Sequence, residues 1–208
     1  MLCCCCWCTQ VGILQGMIQT PVAITFHDNH DVIVADDCRV QRFDHRGRSV
    51  AVIGWHSLTS TTDGWSNLKP TGLAITNDGL LAVADKASQT VRFFHNDGRE
   101  VSLARRWLER AFGRPAGVAV VKLTGNVVVL DAEQRTVTVH LAGTWPQSPM
   151  LPLFCIQSDQ LGIPTHVTVD NSGMIFVVDS LNSCIKVTHT FSLFSLPVLL
   201  GHDIAYVA

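Results

Sequence analysis

The sequence predicts an all-β fold built from four copies of one sheet-forming unit. A motif recurs at intervals of 45 to 49 residues, and each copy contains short alternating or wholly apolar runs bounded by turn-forming residues. The composition agrees with a packed core, because 47% of the 208 residues are hydrophobic and only 15% are charged. Disordered chains have the opposite balance.

A proline and an aspartate mark each copy. The prolines stand at positions 21, 70, 115 and 164, and each is followed 15 or 16 residues later by the aspartate that ends an apolar run. Aspartate suits a strand-ending turn, because its side chain bonds to the backbone two residues further on. We interpret these residues as structural, since a catalytic group would occur once rather than four times. They are Pro21, Asp36, Pro70, Asp85, Pro115, Asp131, Pro164 and Asp179.

Each copy is predicted to form three or four antiparallel strands. The first begins at the proline, which cannot donate to a strand ladder. The second is almost wholly apolar, which indicates burial on both faces. The third alternates, so that Val91 and Phe93 share one face while Arg92 and Phe94 share the other. A further turn, at 45–47 in copy 1 and at 96–98 in copy 2, then leads to a fourth strand such as 49–53. The turn after the aspartate is predicted to be tighter in copy 1, which is two residues shorter there.

Units of this kind form the blades of a β-propeller. One blade cannot bury both faces of its own sheet, so neighbouring blades stack face to face around a central channel. We expect the strand lining the channel to have the least polar surface, which is the second strand of each copy. The expected packing residues between blades are Val32, Val34, Val83, Val127, Val129, Ile175 and Val177.

The motifs resemble the NHL repeat, a propeller blade. Lys-Pro-Thr-Gly-Leu-Ala at 69–74, Val-Ala-Asp at 83–85 and Val-Arg-Phe-Phe at 91–94 match it best, and residues 161–164 with 178–187 match nearly as well. Copies 1 and 3 match the NHL signature less closely. The resemblance covers residues 17–191 and implies an NHL-type β-propeller with four recognisable blades.

NHL propellers commonly have six blades, so four imply an incomplete or partly divergent ring with two raw sheet edges. A truncated product, divergent blades at the ends and association with another chain are the alternatives. Residues 192–208 form a tail that follows no repeat. It could supply one closing strand, but we favour a prematurely ended reading frame.

Residues 1–16 form a cysteine-rich leader that we expect to be disordered or outside the true coding sequence. Palmitoylation of its cysteines is a less favoured alternative. No transmembrane segment is predicted, because Thr9, Gln10 and Gln15 interrupt the apolar run. The body holds three of the eight cysteines and the chain has no N-x-[ST] site. Both facts favour a reducing compartment, and we expect the protein to be cytoplasmic.

The resemblance to the NHL domains of tripartite-motif and malin-like ubiquitin ligases, and to small stand-alone NHL proteins, implies a non-catalytic module that recognises protein substrates. The sequence has no RING or B-box zinc pattern and no catalytic motif, so we expect no enzyme activity, cofactor or metal in this chain. A metal-dependent propeller enzyme is a distant alternative. The metal-capable run at 27–31 also suits a blade turn.

RNA binding is the second functional hypothesis. The net charge of −2 argues against a globally basic nucleic-acid binder, and no DNA partner is expected. Nine of the fifteen Lys and Arg residues nevertheless fall in windows 39–48 and 99–114. The second window has apolar residues at helical spacing, which predicts a short amphipathic helix with its arginines outward. A solvated helix face is the alternative to a binding patch. The predicted contacts with RNA or a partner are Arg92, Arg99, Arg105, Arg106, Arg110 and Arg114.

Overall fold

The computed structural model describes residues 16–27, 29–53, 68–101, 112–141, 152–156, 161–189 and 205–207. Fifteen strands in these ranges form four antiparallel sheets, each made of strands that are consecutive in the chain. The all-β prediction is therefore confirmed. No helix in these ranges is long and apolar enough to cross a membrane.

Each sheet is one copy of the repeat. Blade 1 contains β1 (Pro21–Phe26), β2 (Val32–Asp36), β3 (Arg39–Phe43) and β4 (Ser49–Ile53). Blade 2 contains β5 (Pro70–Ile75), β6 (Leu81–Asp85) and β7 (Thr90–Phe94). Blade 3 contains β8 (Pro115–Val120), β9 (Val127–Asp131), β10 (Thr136–His140) and β11 (Pro152–Ile156). Blade 4 contains β12 (Pro164–Val169), β13 (Met174–Asp179), β14 (Cys184–His189) and β15 (Ala205–Val207).

The strand boundaries follow the repeated residues. Every first strand begins at its proline and every second strand ends at its aspartate. The turn after Asp36 has two residues, whereas the equivalent turns 86–89, 132–135 and 180–183 have four, so the tighter turn in copy 1 is confirmed. β15 lies within the tail and pairs with β14, so residues 205–207 supply the fourth strand of blade 4.

Three apolar clusters lie between successive blades. The first joins blade 1 to blade 2, the second joins blade 2 to blade 3, and the third joins blade 3 to blade 4. Five of the seven expected packing residues lie in these clusters, but Val32 and Val34 do not. Ile33 and Ala35 take their place, because alternate residues of β2 point to opposite faces and only one face meets blade 2.

The first strand of each blade is the innermost, which corrects the expectation that the second strand lines the channel. Residues of β1, β5, β8 and β12 line an axial cavity of about 480 Å³. The second strand has little polar surface for a different reason. It lies between the first and third strands of its own sheet, so both of its edges are paired, and in blades 2 and 3 the neighbouring blades also cover both of its faces.

The surfaces left without a neighbour are sheet faces rather than the predicted edges. No apolar cluster joins blade 4 to blade 1 in the described part of the chain. Ile24 and Phe26 of blade 1, and Val178 and Ile185 of blade 4, are consequently exposed. The physical reason is that blades stack face to face, so a missing neighbour uncovers a face.

The three cysteines of the body differ in whether they form a disulfide. Cys38, in the tight turn of blade 1, is disulfide-bonded, whereas Cys155 and Cys184 are free thiols.

Candidate functional site

The blades present loops at two ends. At the proline end, the segments that precede the four prolines meet the turns that follow the four aspartates. At the opposite end, which we call the glycine end, glycines with positive φ occupy the turns. They are Gly47, Gly79, Gly98, Gly125 and Gly173.

The four aspartates organise the proline end. Each faces its proline across the first two strands, and its carboxylate accepts hydrogen bonds from backbone N–H groups just before that proline. In blade 3, Asp131 accepts from Gly113 N at 2.6 Å and Arg114 N at 3.1 Å, and from Glu133 N and Gln134 N in the following turn. One carboxylate thus fixes both loop segments of its blade.

Arg92 belongs to an internal network. Its Nε and Nη2 donate to the two carboxylate oxygens of Glu100 at 2.9 and 3.0 Å, and Nη1 lies 3.3 Å from Asp85 Oδ2. Burial alone lowers the pKa of Arg92, but Glu100 and Asp85 outweigh it and raise this pKa. The side chain is 12% exposed, so the structure separates it from the exposed cations of the predicted contact set.

The cations of the glycine end are largely neutralised by nearby carboxylates. Arg48 pairs with Asp44 at 2.7 Å, Arg99 with Asp97 at 2.6 Å, and Arg42 with Asp31 at 3.0 Å. The backbone N–H of Arg48 is the largest influence on Asp44. It overcomes the opposing effect of burial and, with the Arg48 guanidinium, lowers the pKa of Asp44 to about 2. The Arg99 backbone N–H and guanidinium likewise lower the pKa of Asp97. Among the described cations of the glycine end, Arg46 and Lys122 are the ones without a carboxylate partner.

The proline end carries cations that have no such partners. Lys86, Arg114 and Arg135 are exposed, and none forms an ion pair within the described ranges. Arg135 stands at the end of its turn with a φ of 53°. The exposed acids of this end are Asp37 and Glu133. With three exposed cations, none of them ion-paired, against two exposed acids, the described part of the proline end has a small net positive charge.

Exposed aliphatic side chains lie at the same end of the blades as these cations. Ile163, just before Pro164, is 48% exposed, and Leu181, in the turn after Asp179, is 63% exposed. Gly162 lets this turn approach, because a Cβ there would lie 2.9 Å from Asp179 Oδ1 and from Leu181 Cβ. On blade 1, Met17 and Ile18 are exposed at the same end. Exposed apolar groups accompanied by polar residues mark candidate binding surfaces, and arginine is enriched among the residues that dominate binding at interfaces.

The predicted contact residues are divided between the two ends. Arg99 is at the glycine end and Arg114 at the proline end. Arg92 is internal, and the remaining three lie outside the described residues, as do residues 102–111 of the predicted helix. The three are Arg105, Arg106 and Arg110. Sequence analysis missed Lys86, Arg135, Ile163 and Leu181, although the repeat itself places them beside the marker prolines and aspartates.

The metal-capable run forms a hydrogen-bonded turn. Asn29 Oδ1 lies 3.1 Å from His27 Nδ1 and accepts from Asp31 N, while Asn29 Nδ2 donates to Asp31 Oδ2 at 2.9 Å. Asp31 also pairs with Arg42, and Asp28 lies outside the described residues. The described part of the chain contains no group of three or more His, Cys, Asp or Glu residues that could hold a metal ion.

Comparisons with known proteins agree with the architecture. No family model matches the chain. It is 26% identical over 178 residues to the human E3 ubiquitin-protein ligase TRIM32 and 28% identical over 130 residues to the mouse protein. These alignments cover 82% and 59% of the chain but only 26% and 19% of the relatives. The chain therefore spans about a quarter or less of the curated relatives it matches.

Solved propellers superpose on most of the chain. The WD40 repeats of RRP9 give a TM-score of 0.61 at 15% identity, covering 84% of the chain and 49% of that structure. A structure of the nidogen/laminin complex gives 0.60 at 17%, covering 81% and 60%. Virginiamycin B lyase from Staphylococcus aureus gives 0.60 at 11%, covering 82% and 52%.

The chain is a four-bladed β-propeller. The similarity to TRIM32, an NHL-containing protein, supports the resemblance to NHL-type propellers. At 11 to 17% identity the solved structures show the propeller fold alone.

Proposed function

We propose that this propeller is a non-catalytic module that binds a protein partner through the proline end of its blades. The observation that carries the proposal is the contrast between the ends. Lys86, Arg114 and Arg135 are exposed and form no ion pair with any residue that the structure describes, whereas Arg42, Arg48 and Arg99 at the glycine end pair with carboxylates. Binding residues are commonly found on loops that a rigid scaffold holds in place, as the blades hold the loops of the proline end.

The burial and hydrogen bonding of the repeated carboxylates support a binding role over a catalytic one. Asp36, Asp85, Asp131 and Asp179 are buried and accept backbone hydrogen bonds from their own blades. Their oxygen lone pairs accept hydrogen bonds from the loop backbone, so few lone pairs remain that could bind or activate a substrate. A metal-dependent enzyme finds no support in the described cluster at 27–31.

The similarity to an E3 ubiquitin-protein ligase supports a finer proposal: the partner is a substrate of a ubiquitin ligase in the cytoplasm. The chain would then compete with the ligase for that substrate. Adding an excess of the chain should lower ubiquitylation of the partner in a reconstituted reaction. The chain alone with ubiquitin, E1 and E2 should produce no ubiquitin conjugates.

A photocrosslinking amino acid placed at one end and then at the other tests the site. Gln134 is exposed at the proline end, and Asn171 is exposed at the glycine end and serves as the matched control. We expect crosslinks to a discrete protein from position 134 and none from position 171. Protein crosslinks only from 171 would refute the proposed site. Crosslinks from 134 that nuclease removes would favour RNA binding instead.

A further inference from the structure

We infer that the proline end of blades 3 and 4 takes a protein segment that carries several carboxylates and one aliphatic anchor residue. The carboxylates would lie on Arg114 and Arg135, and the anchor would pack against Ile163 and Leu181. This inference rests on the proposed function and names the chemistry of the partner.

The cationic half of this surface lies on blade 3 and the aliphatic half on blade 4. Packing between these two blades holds the halves next to each other. Gly117 of β8 meets Val167 of β12 so closely that a Cβ at position 117 would lie 3.1 Å from Val167 Cγ1. Arg114 and Ile163 occupy equivalent positions, one residue before the prolines that open these two strands. Stacked sheets lie about 10 Å apart. An extended peptide, which rises about 3.3 Å per residue, bridges that gap with about three residues.

The backbone of the surface is already fixed in the free protein. Asp179 accepts from Gly162 N at 2.8 Å and Ile163 N at 3.0 Å, and from Asn182 Nδ2 at 2.8 Å in the turn that carries Leu181. Asp131 holds Arg114 in the same way. A surface that is ordered before binding loses less conformational entropy on binding.

The side chains favour a peptide over single-stranded RNA. Single-stranded RNA is recognised largely by stacking of bases on aromatic rings. Two exposed side chains with aromatic rings are described on the inner strands, Phe26 at the glycine end of β1 and the single imidazole of His166 in β12. At the proline end, the described apolar groups that reach solvent are aliphatic. Cations beside aliphatic groups complement an acidic segment with a leucine-like residue.

The test uses a fluorescent synthetic peptide with one leucine followed by four glutamates, and the same peptide with alanine for leucine. Binding is measured by anisotropy. Leu181→Asp should weaken binding of the leucine peptide at least about tenfold, as expected for the loss of an anchor contact. Leu123→Asp is the matched control, because Leu123 is also 63% exposed but lies at the glycine end. It should leave binding unchanged.

The charged half is tested with Arg114→Glu and Arg135→Glu, which should each weaken both peptides. Arg46→Glu, at the glycine end, is their control and should have no effect. Thermal unfolding of every variant verifies that it is folded, and Leu181→Ala replaces Leu181→Asp if the latter fails to fold. Equal loss with Leu123→Asp or Arg46→Glu would overturn the inference.

A third probe, oligouridylate, distinguishes RNA. Tighter binding of this RNA than of the leucine peptide, unaffected by Leu181→Asp, would overturn the inference. Failure of the peptide to bind, with protein crosslinks from position 134 intact, would refute the inferred chemistry and leave the proposed function standing. Loss of those crosslinks as well would refute both.

Discussion

Pro164 and Asp179 face each other across β12 and β13, and the Asp179 carboxylate accepts hydrogen bonds from the two backbone N–H groups just before the proline. The same pairing recurs in every blade. The repeat therefore carries its own loop anchor. This anchor joins the start of the inner strand to the end of the second strand and shapes the proline end.

The Asp179 anchor makes stability depend on pH in acid. Burial raises the pKa of Asp179, but hydrogen bonds from Gly162 N, the Asn182 side chain and Ile163 N together lower it from 3.8 to about 2. Folding thus favours the ionised form, and its stabilisation is nearly complete above about pH 5 and is lost as the pH falls through about 2. The loss should be about 2 kcal/mol.

Urea unfolding at pH 5 and at pH 2.5 measures this effect in the wild type and in Asp179→Asn. The variant should be less stable at pH 5, and the difference should shrink at pH 2.5. A difference of the same size at both pH values would contradict the assignment.

The contact between blades 2 and 3 depends on Gly72. A Cβ at this position would lie 2.8 Å from Gly117 Cα and 2.9 Å from Val118 N, so backbone would have to move. We expect Gly72→Ala to destabilise the fold by about 1–3 kcal/mol, the usual effect of overpacking. Gly117→Ala is the comparison, because its Cβ would meet Val167 Cγ1, a side-chain atom that can shift. Urea unfolding should rank Gly72→Ala as the more damaging, and the reverse order would argue against this packing.

The Arg92 network should contribute far more to stability than the exposed pair of Arg99 and Asp97. Arg92→Met leaves Asp85 and Glu100 without their shared cation in a mostly buried site, and should lower the free energy of unfolding by about 3 kcal/mol. Arg99→Met removes a pair whose arginine is 79% exposed, and the change should be small.

The double variant Arg92→Met with Glu100→Gln should recover part of the lost stability, because it removes one of the two carboxylate charges that Arg92→Met leaves unpaired. Chemical denaturation of the three variants gives the comparison. Equal effects of Arg92→Met and Arg99→Met would show that Arg92 is solvated.

Thr71 links blade 2 to blade 3 through a hydrogen bond. Its hydroxyl lies 2.7 Å from the Pro115 carbonyl oxygen and 3.1 Å from that of Ala84. Thr71→Val keeps the shape but removes the donor, and should cost about 1 kcal/mol. Thr165 occupies the equivalent position of blade 4, where no following blade is described, so Thr165→Val should be close to neutral. A neutral result at both positions in thermal unfolding would exclude a role for the hydroxyl.

The sequence by itself determined the strands and their order, because that information is local. The apolar runs, Pro21 and its three counterparts, and the aspartates recur at fixed spacing, and each acts through its own backbone or its neighbours. The number of recognisable blades and the shorter turn after Asp36 follow from the same local pattern.

Only the tertiary structure decided which surfaces remain available, because pairing and burial depend on residues distant in the chain. Arg42 lies in one of the predicted arginine windows but donates to the Asn96 carbonyl of the next blade. Arg92 lies between Asp85 and Glu100. Alternation along a strand separates two faces without showing which one meets a neighbour, so the packing roles of Ile33 and Val34 could be assigned only from the assembled blades.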